Sequence, residues 1–307
     1  MKKKSGFFVV QTMHDFHIIC PNSLLFDYGQ NCICEKCLGK RIKIFPFFNS
    51  CDRRGLLFSV LKGIRSFIAI NLIGHEKLVD KIIAPSNLMK DKLIREGIKE
   101  NKIVILRNPI SFTSIEGIGI KQDIICYFGR FSKEKDIQFI IESFTLLRNM
   151  KKTNIKLYLI GSGDEEEKIK MLVKDNIYRT EISIFEFMNH EKLIEIIKPC
   201  KYSIMASRLY ENAPMTILES VSLYIIPLVP DLGGMKETVE SVVKIGGVYK
   251  QGDKESFVRC FEYLEAKYLD EIEKIAELNQ RLTNDYGTGN YLKELNSIYK
   301  KVSGQYS

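Results

Sequence analysis

The sequence of 307 residues contains no tryptophan. Beside its abundance of isoleucine and lysine, that lack reads as a base-composition bias of the gene rather than a functional signal. Long apolar runs are missing too: none approaches the ~20 residues of a membrane-spanning helix, and the nearest, 66–74, is short. The basic start MKKKSGFFVVQTMHD has an apolar part of only 7–10 and no small-residue cleavage site, so it does not read as a signal peptide. A cytosolic location is expected, with peripheral contact at the inner face of a membrane. No internal repeat or low-complexity tract is visible. Without a secretory context, the 8 cysteines read as thiols or metal ligands rather than a disulfide framework.

The composition, 45% apolar and 27% charged, is that of a globular chain. The length allows one large domain or two ordinary ones. The net charge of +8 is compatible with anionic ligands or an anionic membrane surface. It is spread among glutamates as on an ordinary solvated surface, and does not point to nucleic acid.

From residue 119 the pattern is regular. Short β-rich runs (DIICYFG, IKLYLIG, ISIFEF, YSIMAS, IIPLV, GGVYK) alternate with segments of helical apolar spacing. The first of these helices is expected from Asp136, as N-cap, to Met150, and others over 164–174, 191–198, 215–223, near Lys236, and 254–264. Six strands alternating with helices predict a parallel, doubly wound sheet, which binds ligands at the carboxyl ends of its strands. Residues 1–118 are less regular. GFFVVQTM, KIIAPS and KIVILRN read as strands, and 57–74 and 87–96 as helices, enough for part of a second α/β domain. Residues 111–122, with Gly117 and Gly119, read as a linker.

Several polar residues fall at the carboxyl edge of the second domain. Gly129 ends a strand, Arg130 follows it, and Lys135 precedes a helix. Two cations beside free helix N–H groups suit a phosphate; the plainer reading pairs them with Glu134 on the surface. GSGDEEEK, with Gly161, and DLGGMKE, with Gly233 and Gly234, are two more glycine loops of this kind. In LYENAPMTILE, Glu211 and Glu219 are acceptors suited to sugar hydroxyls. By spacing alone they read as an acid near a helix N-terminus and an exposed helix glutamate. Among the cysteines, Cys126, Cys200 and Cys260 sit in apolar segments and read as core. Cys20, Cys32, Cys34 and Cys37 crowd together, and Cys34-x-x-Cys37 could chelate zinc, although buried or free thiols are the simpler reading.

The stretches YFGRFSKEKDIQFIIESF, LYLIGSGDEEEKIK, IFEFMNHEKLIEII and MASRLYENAPMTILES…DLGGMKETVE resemble, in order, the donor-binding half of retaining glycosyltransferases of family 4, which have the GT-B fold. TMHDFHIICPN and SNLMKDKLIREGIKENKIVILRNPI resemble parts of that family's first domain. The resemblance runs from about residue 8 to 302. It implies a GT-B-like α/β fold of two Rossmann-like domains facing across a cleft: 1–118 a partial acceptor-side domain, 119–285 the nucleotide-sugar-binding domain, and 286–307 a helix returning to the first. The family's usual first strand, glycine-rich loop and about two more β/α units have no counterpart in this sequence.

The resemblance also implies roles. Arg130 and Lys135 would hold the donor diphosphate and, with His14 and Glu211, form the catalytic set, with Glu211 on the transferred sugar. Glu219 would take the ribose hydroxyls, and Phe187 and Met188 would lie near the base. The backbones of Asn212, Ala213, Pro214, Met215 and Thr216, and of Gly233–Gly234, would approach the donor, as would the Gly129 and Gly161 loops. His14, with Asp15 beside it, would face the donor sugar from the other domain. The implied reaction takes a sugar from a UDP- or GDP-linked donor to a glycan or lipid-linked acceptor with retention, in surface polysaccharide synthesis. The donor is a substrate; no cofactor, catalytic metal or nucleic-acid partner is implied. Two rival readings stand beside it: a non-catalytic nucleotide-sugar-binding remnant, and a zinc-dependent interaction module on the cysteine cluster.

Overall fold

A computed structural model describes residues 7–110, 118–151 and 153–304. The chain divides into two compact units. The first comprises 1–109, 209–213 and 286–307; the second comprises 110–208 and 214–285. The sequence reading put the boundary at 118, whereas the units part between Pro109 and Ile110. Residues 111–117 of the expected linker lie outside the described residues.

In the first unit, β1 (Val10–Thr12) pairs in parallel with β4 (Lys81–Ala84), and β4 pairs with β5 (Ile103–Ile105). Between β1 and β4 lie a small antiparallel hairpin, β2 (Phe26–Asp27) and β3 (Cys32–Ile33), and the helix α1 (Leu56–Phe67). A π-helical stretch, Ile68–Ile73, extends α1 to Gly74, whose left-handed backbone (φ 66°) ends it. Helix α2 (Asn87–Arg95) crosses from β4 to β5. Its N-cap Ser86 accepts from the amide of Met89 at 3.1 Å, and its hydroxyl also donates to Asn212 Oδ1 at 2.5 Å. Met13, Ile19, Leu25, Ile82, Met89 and Leu93 form the buried core.

The second unit holds a six-stranded sheet, parallel throughout, in the order β11-β10-β9-β6-β7-β8. Its strands are β6 (Gln122–Phe128), β7 (Lys156–Ile160), β8 (Ile182–Phe185), β9 (Cys200–Ile204), β10 (Ile226–Pro230) and β11 (Gly247–Tyr249). The crossovers are α3 (Ile137–Met150), α4 (Glu166–Lys174), α5 (His190–Ile197), α6 (Met215–Ser222), α7 (Gly233–Glu237) and α8 (Lys254–Ala266). The chain winds outward from β6 to β8, then returns to the other side of β6 with β9. Order reverses between β6 and β9, which is where an open α/β sheet offers a crevice.

Helix α9 (Tyr268–Tyr286) leads to α10 (Thr288–Gly304). In α10, Tyr291, Leu295, Ile298 and Val302 recur at helical spacing and pack on Val10, Ile83, Val104 and Leu106 of the first unit's sheet.

Asp136 stands at the N-cap position of α3, as the sequence predicts, but in a left-handed conformation (φ 53°, ψ 49°) and without a capping bond from its side chain. Its carboxylate turns to Arg208 instead. The helix read from the sequence over 57–74 is present, but counting only uninterrupted apolar runs leaves out that its 18-residue stretch Leu56–Ile73 is long and apolar enough to cross a membrane by length and composition. Lys62 and Arg65 interrupt the run in sequence without breaking the helix.

Candidate functional site

At the carboxyl edge of the second unit's sheet lies a cavity of about 410 Å³. Gly129, Arg130, Gly161, Phe187, Met188 and Thr216, six of the residues singled out from sequence, line it, with Ser162 and Leu193 between them. Each reaches the edge for a local reason. Gly129 and Gly161 follow the last residues of the adjacent strands β6 and β7; Phe187 and Met188 follow β8; Thr216 stands in the first turn of α6.

Backbone hydrogen bonds stitch the loops together. The Gly129 amide donates to Ile160 at 3.0 Å, Gly161 to Phe185 at 3.0 Å, and Phe131 to Ser162 at 2.8 Å. Glycine is required at 161: a Cβ there would lie 1.9 Å from the carbonyl oxygen of Gly129, at a φ of 147°. The glycines thus let two strand-end loops touch, and that contact shapes the cavity floor.

The basic loop is braced from below. The Tyr127 hydroxyl donates to the carbonyl of Arg130 at 2.8 Å, and the Arg208 amide donates to that of Glu134 at 2.8 Å. The Arg208 side chain binds Asp136. Arg130 keeps its side chain 61% exposed, with its guanidinium 3.7 Å from the buried Glu134 carboxylate, a loose pairing. A site cation of this kind remains accessible to an anion. Lys135 lies in the short helical turn Lys133–Lys135 that precedes Asp136. In the same loop the Ser132 hydroxyl is buried without a hydrogen-bond partner, a donor that the sequence reading did not single out.

Glu219, on α6, is half-buried, and burial raises its carboxyl above the usual range while His190 opposes the rise. Met215 opens α6 and Pro214 precedes it; Gly233 and Gly234 open α7. None of these five lines the cavity.

Glu211, Asn212 and Ala213 belong to the first unit, together with His14. Asn212 accounts for this: its Nδ2 donates to the carbonyl of Met13 at 2.9 Å and reaches that of His14 at 3.5 Å, while Oδ1 accepts from Ser86. The Tyr210 hydroxyl adds a bond to Glu35 at 2.9 Å. His14 is exposed, and Asp15 pairs with His17 rather than with it, at 2.5 Å. That bond holds the Asp15 carboxyl below its usual range. A second cavity, of about 360 Å³, lies within the first unit and is lined by Asp15, His17, Arg65 and Ser66 among others.

The cysteine cluster differs from the sequence reading. Cys20, Cys34, Cys37 and Cys51 lie within electrostatic reach of one another, while Cys32 is exposed on the hairpin. Burial above all pushes the thiols of Cys37 and Cys51 up to about 12. Among the described residues, no group of three or more His, Cys, Asp or Glu is arranged to hold a metal ion.

The family model of glycosyl transferases group 1 matches residues 112–284, more than half of the chain. The chain belongs to this family. It is 33% identical over 136 residues to the capsular polysaccharide biosynthesis glycosyltransferase CapM of Staphylococcus aureus, a match covering 38% of this chain and 35% of CapM. It is 26% identical over 140 residues to an uncharacterised glycosyltransferase of Methanocaldococcus jannaschii, covering 43% of this chain and 36% of the relative. The matched region thus spans about a third of the length of these curated relatives. Among solved structures, Anabaena HepE in complex with UDP superposes with a TM-score of 0.70 at 11% identity, over 98% of this chain and 74% of HepE. The likeness shows the fold of this group 1 chain to be GT-B-like, built from Rossmann-like α/β units.

Proposed function

We propose that this group 1 chain transfers a sugar from a UDP- or GDP-linked donor to a glycan or lipid-linked acceptor, with retention of configuration, in surface polysaccharide synthesis. The observation that carries the reading is the cavity that gathers Gly129, Arg130, Gly161, Phe187, Met188 and Thr216 at the reversal edge of the six-stranded sheet. UDP bound to HepE and the capsular role in CapM's name support the donor and the pathway class.

In this reading the bond between the anomeric carbon and the diphosphate oxygen breaks, and the acceptor hydroxyl bonds to that carbon on the same face, passing its proton to the departing diphosphate oxygen. Negative charge grows on the departing diphosphate. Arg130 and Lys135 offset it, and a braced loop does so without reorganising at the moment of reaction. Met188 and Phe187, the latter 80% exposed at the cavity rim, offer apolar surface to the base. Glu219 takes the ribose hydroxyls. Glu211 and His14 are assigned to the transferred sugar on the family pattern. The donor is a substrate, and no step calls on a metal or cofactor.

Titration calorimetry with UDP- and GDP-sugars tests the binding half, and a transfer and hydrolysis assay tests the chemistry. Removing Arg130 or Lys135 by alanine substitution is expected to lower the rate on the order of 10²–10³-fold each. If no nucleotide sugar binds, the reading fails; binding with neither transfer nor hydrolysis favours the remnant reading.

A further inference from the structure

The outer face of α1 and its π-helical extension is apolar and unpaired. Leu57, Leu61, Ile64, Ile68 and Leu72 recur at helical spacing, and all five are exposed, Leu57 at 68% and Leu72 at 71%. Phe48, on the turn that packs against the helix, adds an aromatic ring at 78% exposure. The opposite face is fixed to protein: Ser59, Gly63 and Ser66 are buried, and a Cβ on Gly63 would press on Phe47 at 3.2 Å and Pro46 at 3.3 Å. A helix held this closely along one side has only its other side free, a geometry for lying on a bilayer and not for crossing one.

The charge around this face selects the kind of surface. Residues 40–77 contain eight lysines and arginines against Asp52 and Glu76, a surplus of six in a chain whose whole surplus is eight. Lys40, Arg41, Arg53, Arg54 and Arg65 are exposed; Arg41 bonds to Asn71 of the extension, Arg54 lies over Phe58 and Arg65 stands on α1 itself, so exposed cations border the helix. Exposed leucines between basic side chains complement an anionic bilayer, with apolar groups entering the acyl boundary and cations meeting the headgroups.

We propose that α1 with its extension docks the first unit on an anionic lipid surface. This goes beyond sugar transfer and does not depend on it: nucleotide-sugar binding by the second unit is measured in lipid-free solution, so either reading can fail alone.

Co-sedimentation of the full chain with vesicles is the test. Binding is expected to phosphatidylglycerol–phosphatidylethanolamine vesicles, not to pure phosphatidylcholine, and to weaken steeply with salt. A Leu57→Ser, Leu61→Ser, Leu72→Ser variant is expected to bind at least ~10-fold more weakly. Arg41→Glu with Arg53→Glu reverses two local cations and is expected to lower binding on the order of 10²-fold or more. If the leucine variant does not fold, the charge variant and the salt titration of the unmodified chain still decide. Equal binding to phosphatidylcholine overturns the proposal, as does no binding at all. Retention through an alkaline carbonate wash overturns it in favour of an inserted span. A lipid-free dimer that the leucine substitutions dissociate overturns it in favour of a second copy on this face.

Discussion

Arg208 Nε lies 2.5 Å from Asp136 Oδ2, and the backbone amide of Arg208 donates to the carbonyl of Glu134. A single side chain and its amide, four residues past the end of β9, therefore grip both ends of the turn between the basic loop and α3. Asp136 is 9% exposed and sits in a left-handed backbone conformation that a non-glycine residue adopts only at some cost. The ion pair offsets that cost and fixes the turn that carries Lys135.

Replacing Arg208 by alanine leaves the Asp136 carboxylate without this partner. The Arg208 side chain is 40% exposed, so solvent takes over part of its role, and a loss of about 1.5 kcal/mol is expected. Asp136→Asn keeps the left-handed preference and is expected to cost less. Both changes loosen the Lys135 turn, so nucleotide-sugar affinity should fall alongside thermal stability. Calorimetry on the two variants checks the order; an Arg208→Ala protein with unaltered melting and affinity would remove the clamp from the account.

How far the sequence was legible follows from the range of each interaction. The strands β6 to β11 and their crossovers show as local changes of apolar period, because a parallel neighbour needs a helix in between. Gly129 and Gly161 were visible as strand-end glycines. Their mutual contact was not, since it joins loops 32 residues apart. The assignment of 209–213 to the first unit rests on Asn212 bonding to Met13 and Ser86, and Arg208 acts across 72 residues; no local pattern encodes either. Asp136 misleads because Asp is a good cap, and here a distant arginine outcompetes the cap. The α1 face was hidden by Lys62 and Arg65, which break an apolar run on paper but project from a continuous helix.

Glu219 makes the donor reading pH-dependent. Burial raises its carboxyl, so the folded state favours the protonated form. Stability is full below the carboxyl's unfolded range and falls as pH rises through the raised folded value. Glu219→Gln removes this dependence, and its melting temperature should exceed that of the unmodified chain at about pH 7.5 and match it near pH 4. Ribose binding has the opposite sense, because the ionised carboxylate is the better acceptor. The same variant should lose ~10-fold or more in nucleotide-sugar affinity at neutral pH. A variant that binds equally well would take Glu219 out of the donor site.

The cysteine cluster is expected to behave as buried thiols. Cys37 and Cys51, pushed up to about 12 by burial first, then by neighbouring thiols and, for Cys51, the Asp27 carboxylate, are only about 10⁻⁴ ionised at pH 8, and thiolate is the reacting form. Cys20 is raised by burial in the same way, and its thiol donates to Asn22 Oδ1 at 2.9 Å. Cys32 is exposed on the hairpin. Iodoacetamide should therefore modify Cys32 first, with Cys20, Cys37 and Cys51 slower on the order of 10²-fold or more in the native protein. Peptide mass spectrometry over a time course gives the order. Repeating it after a strong zinc chelator separates burial from metal ligation: burial alone leaves the rates unchanged, whereas thiolates released from a metal would react at once and would restore the zinc-dependent reading of this cluster.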